Sequence, residues 1–270
     1  GWIGVGGIFW LMAALALAGI AITLFVVPAP PVPRARPEAG TVAALIAANL
    51  RNPQLLRLDF GIFALHAMLT ASFLVMPALL RGTLAMSSRD QWMIYLPVLV
   101  VSVAVMVPAI VAAEKFRHMK GVFVSSVTAL AVSQAMLYFG AGNLYVLLAA
   151  ITIFFSAFNV MEATLPSLIT KAAPPDAKGT ATGLYSSLQF LGIFVGGVIG
   201  GWAHQAGGIA AVFALTTIVA LLWLAAAATM RQPSYLTTRL LPIGNRNASD
   251  AAGLAARLRK VPGVAEAVVI

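Results

Sequence analysis

This 270-residue chain has no cysteine and few charged residues. The absence of cysteine excludes disulfide bonds, thiol chemistry and cysteine-based metal sites. Only 9% of its residues are charged, against about a quarter in an ordinary soluble domain. Hydrophobic residues make up 61% and stand in long blocks. We therefore predict an all-α polytopic membrane protein, since a helix satisfies its own backbone hydrogen bonds in the bilayer.

Acidic residues are also few, which leaves a formal net charge of +9. Such a charge is typical of nucleic-acid-binding proteins, but the lysines and arginines here stand in short segments between apolar blocks. That distribution is the positive-inside pattern of membrane proteins, and no basic face interleaved with aromatic residues accompanies it. We predict no nucleic-acid partner. The chain begins apolar, without a charged signal-peptide start or an initiator Met, and we expect it to be a piece of a longer protein.

Seven apolar segments are long enough to cross a bilayer, which takes about 20 residues. They are 3–27, 55–80, 92–113, 122–139, 144–170, 179–202 and 209–230. The segments after the first, third, fifth and seventh are basic, and the alternate loops are poorer in charge, although Arg81 and Arg89 break the pattern. The positive-inside rule then puts Gly1 outside and Ile270 in the cytoplasm.

Two stretches outside the spans have their own organisation. The Pro-rich stretch 28–37 predicts an extended linker, and 41–50 a short helix at the cytoplasmic surface. The tail after 232 reads as strand, helix and strand: "SYLTTRLLPIG", then "ASDAAGLAARLRKVPG" with Ser249 or Asp250 as its cap, then "VAEAVVI". We predict a truncated βαβ unit.

The loop "AEKFRHMK" resembles the acidic-basic loop motif of the major facilitator superfamily in its degenerate second-half form. Three further stretches, "RNPQLLRLDFGIFALH", "FNVMEATLPSLITKAAPPDAKGTATGLYSSLQFLGIFVGGVIGGW" and "GLAARLRKVPGVAEAVVI", are similar to the YajR-type proton-driven drug antiporters of that superfamily. The resemblance implies a six-helix C-terminal half preceded by one helix, with a partial ferredoxin-like tail.

The resemblance also implies a domain layout. Residues 1–28 would be the last helix of an N-terminal half, 29–54 a cytoplasmic linker, 55–231 the C-terminal half and 232–270 a partial ferredoxin-like domain. Transport in this fold rocks two halves about a site near the membrane midplane. The fragment alone is then expected to be inactive, with the rest of the same protein as its necessary partner.

Glu162 is a carboxylate inside an apolar run, where a charge costs a few kcal/mol, about 2.5–3.5 by insertion scales. Its distance from Lys171 places it about 13 Å deep. Ser156, Asn159 and Glu162 share one helix face, with Pro166 a turn further on. Glu162 and Asn159 are therefore candidates to line a cavity. The alternative is a glutamate that only ties helices together.

Three more polar residues inside apolar spans are candidates for the same cavity: His66, Tyr185 and Gln189. A histidine can relay a proton. It has no second histidine three or four residues away, so we predict no metal site and no cofactor. Tyr185 and Gln189 are four residues apart and share a helix face. Hydrogen bonding between helices is the plainer alternative for all three.

At the cytoplasmic edge, Arg57 and Asp59 predict an interfacial ion pair that stabilises a helix start, with gating as the alternative. In the loop, Glu114 would hold the acidic position of the motif as a latch to the other half. The basic positions of that loop are Lys115, Arg117 and Lys120. The alternative there is plain positive-inside charge.

Glycines recur every four residues at Gly192, Gly196 and Gly200. Such a face lets two helix backbones approach closely, and we expect it at the interface between the halves.

The expected function is secondary transport, by proton-coupled efflux of amphiphilic small molecules from the inner membrane of a bacterium, as in drug resistance. A carrier of a sugar or another metabolite, and a non-transporting membrane scaffold, are the alternatives. No nucleophile–base or metal cluster points to an enzyme.

Overall fold

The computed structural model describes residues 4–28, 41–174, 177–232, 248–262, 264 and 267. The described residues form eight helices. They are α1 Gly4–Phe25, α2 Val42–Arg51, α3 Pro53–Leu84, α4 Trp92–Glu114, α5 Met119–Gly140, α6 Leu144–Ala172, α7 Lys178–Ala228 and α8 Ala248–Leu258. The predicted linker from residue 29 onwards and the first predicted tail strand lie outside the described residues. Of the second tail strand only 264 and 267 are described.

Six of these helices are long and apolar enough to cross a membrane: α1 and α3 to α7. The fold is therefore the all-α polytopic fold that the composition predicts. The short helix α2 lies where the sequence predicts a surface helix. Thr41 accepts a hydrogen bond from the Ala44 backbone N–H and caps its N-terminus.

Helix α7 accounts for the last two predicted spans. Its 51 residues would extend about 76 Å as one rod, more than twice the thickness of the hydrocarbon core. Its backbone is non-helical at Gly207 and at Gly208, where φ is +67° and ψ is −159°. Only glycine adopts such dihedrals readily. We call 178–206 the first arm and 209–228 the second arm.

The contacts of the two arms with α3 show that α7 folds back on itself. Along the first arm, residue numbers rise together with those of α3, so the two run parallel. The close approaches are Gly192 to Phe63, Gly196 to Ala67 and Gly200 to Ala71.

From the second arm onwards, residue numbers rise as those of the contacting α3 residues fall. Trp223 packs on Gly61, Thr229 accepts a hydrogen bond from Arg57, and Arg231 bonds Gln54 through its backbone. The second arm is therefore antiparallel to α3, and the chain turns at Gly207–Gly208.

Helix α3 lies at the centre of the bundle. Leu58, Ile62, Leu65 and Met68 are all fully buried. A buried polar network also joins three helices: Gln134 of α5 accepts hydrogen bonds from Ser72 at 3.3 Å and Thr216 at 2.8 Å. Helix α1, in contrast, is exposed along nearly its whole length.

One end of the bundle carries Arg57, Glu114, Lys171 and Lys178 at or near helix ends, and Arg231 just after α7. We call it the basic end. Contacts between Arg57 and Thr229 and between Glu114 and Lys171 show that these termini lie together.

The tail 233–270 forms a separate compact unit. Its described helix, α8, lies where the sequence predicts one, and it begins at Ala248.

Candidate functional site

The candidate site begins with the close approach of α3 and the first arm of α7. A methyl group added at Gly192 would lie 3.0 Å from Phe63 Cα, and one at Gly196 would lie 2.6 Å from Ala67 Cα. The two backbones touch where a side chain would not fit. The expectation that this glycine face lies between two halves of the transporter is wrong, because the three glycines pack on α3 within the chain.

This contact brings His66 of α3 beside Gln189 of the first arm. The Nε2 atoms of the two side chains are 2.9 Å apart. On the other side of the ring, His66 Nδ1 lies 3.2 Å from the Ile62 carbonyl oxygen, which can only accept a hydrogen bond. With Nδ1 as the donor to that carbonyl, Nε2 is the ring nitrogen that faces Gln189.

Glu162 of α6 completes the cluster. Its Oε1 atom lies 3.2 Å from His66 Nε2, an ion-pair distance when the ring is protonated. When the ring is neutral, Nε2 instead accepts a hydrogen bond from the Gln189 amide. The geometry thus gives one proton two positions, on the histidine or on the carboxyl group. We call His66, Glu162 and Gln189 the polar triad.

The two ionisable members of the triad differ in exposure. The side chain of His66 is 7% exposed and that of Glu162 is 34% exposed. Ser156 and Asn159, which share the Glu162 face of α6, are also partly exposed, and Pro166 is exposed. The predicted polar stripe therefore lies along an open face of the bundle.

Asn159 has a different partner from the triad. It donates a hydrogen bond to the hydroxyl of Ser102 on α4, over 2.8 Å. Ser102 is fully buried. Asn159 therefore ties α4 to α6, although it stands one turn from Glu162.

Aromatic rings flank the triad, and the sequence analysis did not select them. Phe158 lies edge-on to the His66 ring at 5.8 Å and stacks on Phe154 at 6.0 Å. The row continues through Phe155 to Phe73 of α3 and Tyr95 of α4. The signal was present in "FFSAF", whose phenylalanines stand one and four residues apart. The result is an apolar wall beside one acid and one imidazole.

Tyr185 is buried one turn before Gln189, at 5% exposure. It shares a helix face with Gln189, four residues further on. Tyr185 is therefore close to the triad but is not one of its hydrogen-bonded members.

The predicted ion pair of Arg57 with Asp59 is wrong. Two residues apart on a helix, these side chains face different directions. Arg57 donates to the Thr229 hydroxyl at 2.9 Å and to the Pro53 carbonyl at 3.1 Å. Asp59 is buried, and its Oδ2 atom accepts a hydrogen bond from Asn49 of α2 at 3.4 Å.

The acidic residue of the loop motif also has partners that were not anticipated. The Glu114 carboxylate receives hydrogen bonds from Lys171 at 2.6 Å and from the Ser167 hydroxyl at 2.8 Å, both on α6. It thus joins the basic ends of α4 and α6 within this chain. Of the basic positions of the loop, Lys115 lies over the ring of Phe116 at 5.9 Å, Arg117 has a left-handed φ of 59°, and Lys120 is in the first turn of α5.

Metal-binding chemistry finds little support in the part of the chain that the structure describes. No group of three or more histidine, aspartate or glutamate side chains comes together there. The triad offers only two such residues, His66 and Glu162.

Comparison with known proteins gives two findings. The family model described as Major Facilitator Superfamily matches residues 58–260. The Inner membrane transport protein YajR of Escherichia coli is 36% identical over 267 residues, which is 99% of this chain and 58% of that protein.

Two further relatives come from Buchnera aphidicola, and both are described as uncharacterized transporters. The one from subsp. Baizongia pistaciae is 28% identical and covers 64% of this chain and 44% of its own length. The one from subsp. Acyrthosiphon pisum is 26% identical over a stretch that covers 70% of this chain and 48% of that protein. The chain thus spans about half the length of the curated relatives it matches.

Proposed function

Because this chain belongs to the Major Facilitator Superfamily, we propose that it is part of a secondary transporter that exports amphiphilic small molecules in exchange for protons. The chain supplies one six-helix half, α3 to the second arm of α7, and α1 is the last helix of the other half. Two such halves enclose a site near the membrane midplane in transporters of this type. The isolated chain is then inactive.

One observation carries this proposal: His66 Nε2 and Glu162 Oε1 are 3.2 Å apart inside membrane-spanning helices. Ionisable groups at such depth are rare and mark proton or substrate pathways. The pair can hold one proton in two positions, and Glu162 stands on the open face of the bundle. A proton-coupled carrier needs a group that is protonated in one access state and deprotonated in the other.

The surroundings of the pair favour apolar cargo. Phe158 is partly exposed next to a single carboxylate, and the buried rings of Phe154 and Phe155 belong to the same row. Aromatic faces bind apolar groups and attract cations. A sugar carrier would instead call for several converging polar groups, because each sugar hydroxyl needs a hydrogen-bond partner.

We further propose that the basic end faces the cytoplasm of a bacterial cell, with the membrane being the inner membrane. The helix ends there carry Arg57, Lys171, Lys178 and Arg231, and cytoplasmic loops are enriched in lysine and arginine. The N-terminal end of α1 then lies outside, and the tail beyond 232 lies in the cytoplasm.

The test uses the full-length gene product that contains this segment, reconstituted in proteoliposomes. Uptake of a panel of fluorescent dyes, both cationic and neutral, is driven by an imposed pH gradient. We expect Glu162→Gln to abolish gradient-driven uptake. The matched control is Asp90→Asn, which makes the same carboxyl-to-amide change at a partly exposed site outside the triad, where Asp90 accepts a hydrogen bond from the Ser87 hydroxyl.

Two results would overturn the proposal. If Glu162→Gln takes up dye as fast as the unmodified protein does, the carboxyl group takes no part in the coupling step. Uptake that ignores the pH gradient altogether, in the unmodified protein, would remove proton coupling and favour a carrier driven by another ion or by the solute gradient.

A further inference from the structure

Asp59 is an ionisable side chain that the proposed function has not used. It lies on α3, seven residues before His66, so the two side chains share a face about 10 Å apart along the helix. It is only 1% exposed. A carboxyl group buried this deeply normally has a basic partner or several hydrogen-bond donors.

The partners of Asp59 do not match that rule. Its Oδ2 atom receives one long hydrogen bond, 3.4 Å, from the Asn49 amide of α2. Its Oδ1 atom is buried and has no hydrogen-bond partner among the described residues. A protonated carboxyl group would leave less charge uncompensated there than a carboxylate.

The charges around Asp59 are consistent with an uncharged form. Its hydrogen-bond partner, Asn49 of α2, is neutral. Arg57, the nearest cation along α3, is bonded to Thr229 and Pro53 instead. Within the described ranges, no lysine or arginine pairs with Asp59.

The position of Asp59 along α3 separates it from the polar triad. Asp59 lies nearer the basic end than Glu162's partner His66, since α3 starts at that end with Pro53.

We propose that Asp59 is a second proton-binding site of the transporter, on the basic-end side of the polar triad. Helix α2 closes this site from the basic end, because Asn49, at 5% exposure, covers Asp59. The inference rests on the proposed proton coupling at Glu162.

The experiment is infrared difference spectroscopy of the full-length gene product in lipid bilayers, recorded over a pH titration. The carbonyl stretch of protonated carboxyl groups reports each site without any transported compound. We expect Asp59 and Glu162 each to contribute a component. Asp59→Asn removes one, Glu162→Gln removes the other, and the partly exposed control Asp90→Asn removes neither.

Asn49→Ala serves as a second variant if Asp59→Asn fails to fold. It leaves the carboxyl group in place and removes its amide partner, so the Asp59 component should shift in frequency. The proposal fails if Asp59→Asn, or Asn49→Ala in its place, leaves the spectrum unchanged. If Glu162→Gln alone removes a component, the proposed function stands and only this inference is overturned. If Glu162→Gln removes none, the proposed function fails, and the Asp59 component still decides this inference.

Discussion

Replacing Gly196 with alanine tests whether the glycine face builds the candidate site. The added methyl group would lie 2.6 Å from Ala67 Cα, whereas carbon atoms in contact are about 3.5–4.0 Å apart. The first arm of α7 must therefore move away from α3 by about 1 Å. The neighbouring Gly197 is the matched control, since a methyl group there meets Thr70 Cγ2 at 3.6 Å, an ordinary contact.

The magnitude follows from comparing the two variants. Alanine is favoured over glycine in a helix by about 1 kcal/mol, and this gain is common to both substitutions. This gain cancels when the stabilities of the two variants are subtracted, so the remaining difference is the cost of overpacking at Gly196. Overpacking of this kind costs about 1–3 kcal/mol. Gly196→Ala should therefore be about 1–3 kcal/mol less stable than Gly197→Ala.

The assay is denaturant unfolding of the purified full-length protein in detergent, followed by tryptophan fluorescence, because buried Trp223 packs on the same helix α3. Gly196→Ala should also weaken pH-driven uptake, since its backbone shift separates His66 from Gln189. Equal stability and equal uptake of the two variants would refute the close approach of the two helices.

Three further predictions concern other contacts. Glu114→Gln should lower the free energy of unfolding by about 0.5 kcal/mol, because its ion pair with Lys171 is partly exposed. Denaturant unfolding at two salt concentrations should show a smaller loss in high salt, since salt screens the pair. Gln134→Leu should cost about 1 kcal/mol in the same assay, since it removes the acceptor of a buried network, and an unchanged midpoint would contradict that. A cysteine at Phe116, in a background free of other cysteines, should react with an impermeant maleimide only in inverted vesicles, and one at Gly142 only in intact spheroplasts; the reverse would overturn the assigned orientation.

The helices and several members of the candidate site could be predicted from sequence for a simple physical reason. A polar residue in a 20-residue apolar run is conspicuous, and this singled out His66, Glu162 and Gln189 separately. Their meeting within 3.2 Å could not be predicted, because it depends on how α3, α6 and the first arm of α7 pack. Spacing along one helix carries no information about register between helices.

The mistaken predictions have the same origin. Arg57 and Asp59 are neighbours in sequence and were paired for that reason, but the helix turns them to different partners. The glycine face was assigned to the wrong interface, since a small face shows that something approaches closely without showing what. Asn49, the partner of Asp59, lies on a short surface helix whose docking position the sequence does not encode locally.

The central claim is that the His66–Glu162 pair couples proton movement to transport. The most direct measurement compares two modes of transport in one variant, Glu162→Gln: exchange of a labelled dye at equal pH on both sides, and uphill uptake driven by a pH gradient. The account predicts that exchange persists, because the fold and the aromatic wall remain, while uphill uptake and dye-induced proton release are lost. Uphill uptake retained together with proton release would contradict it.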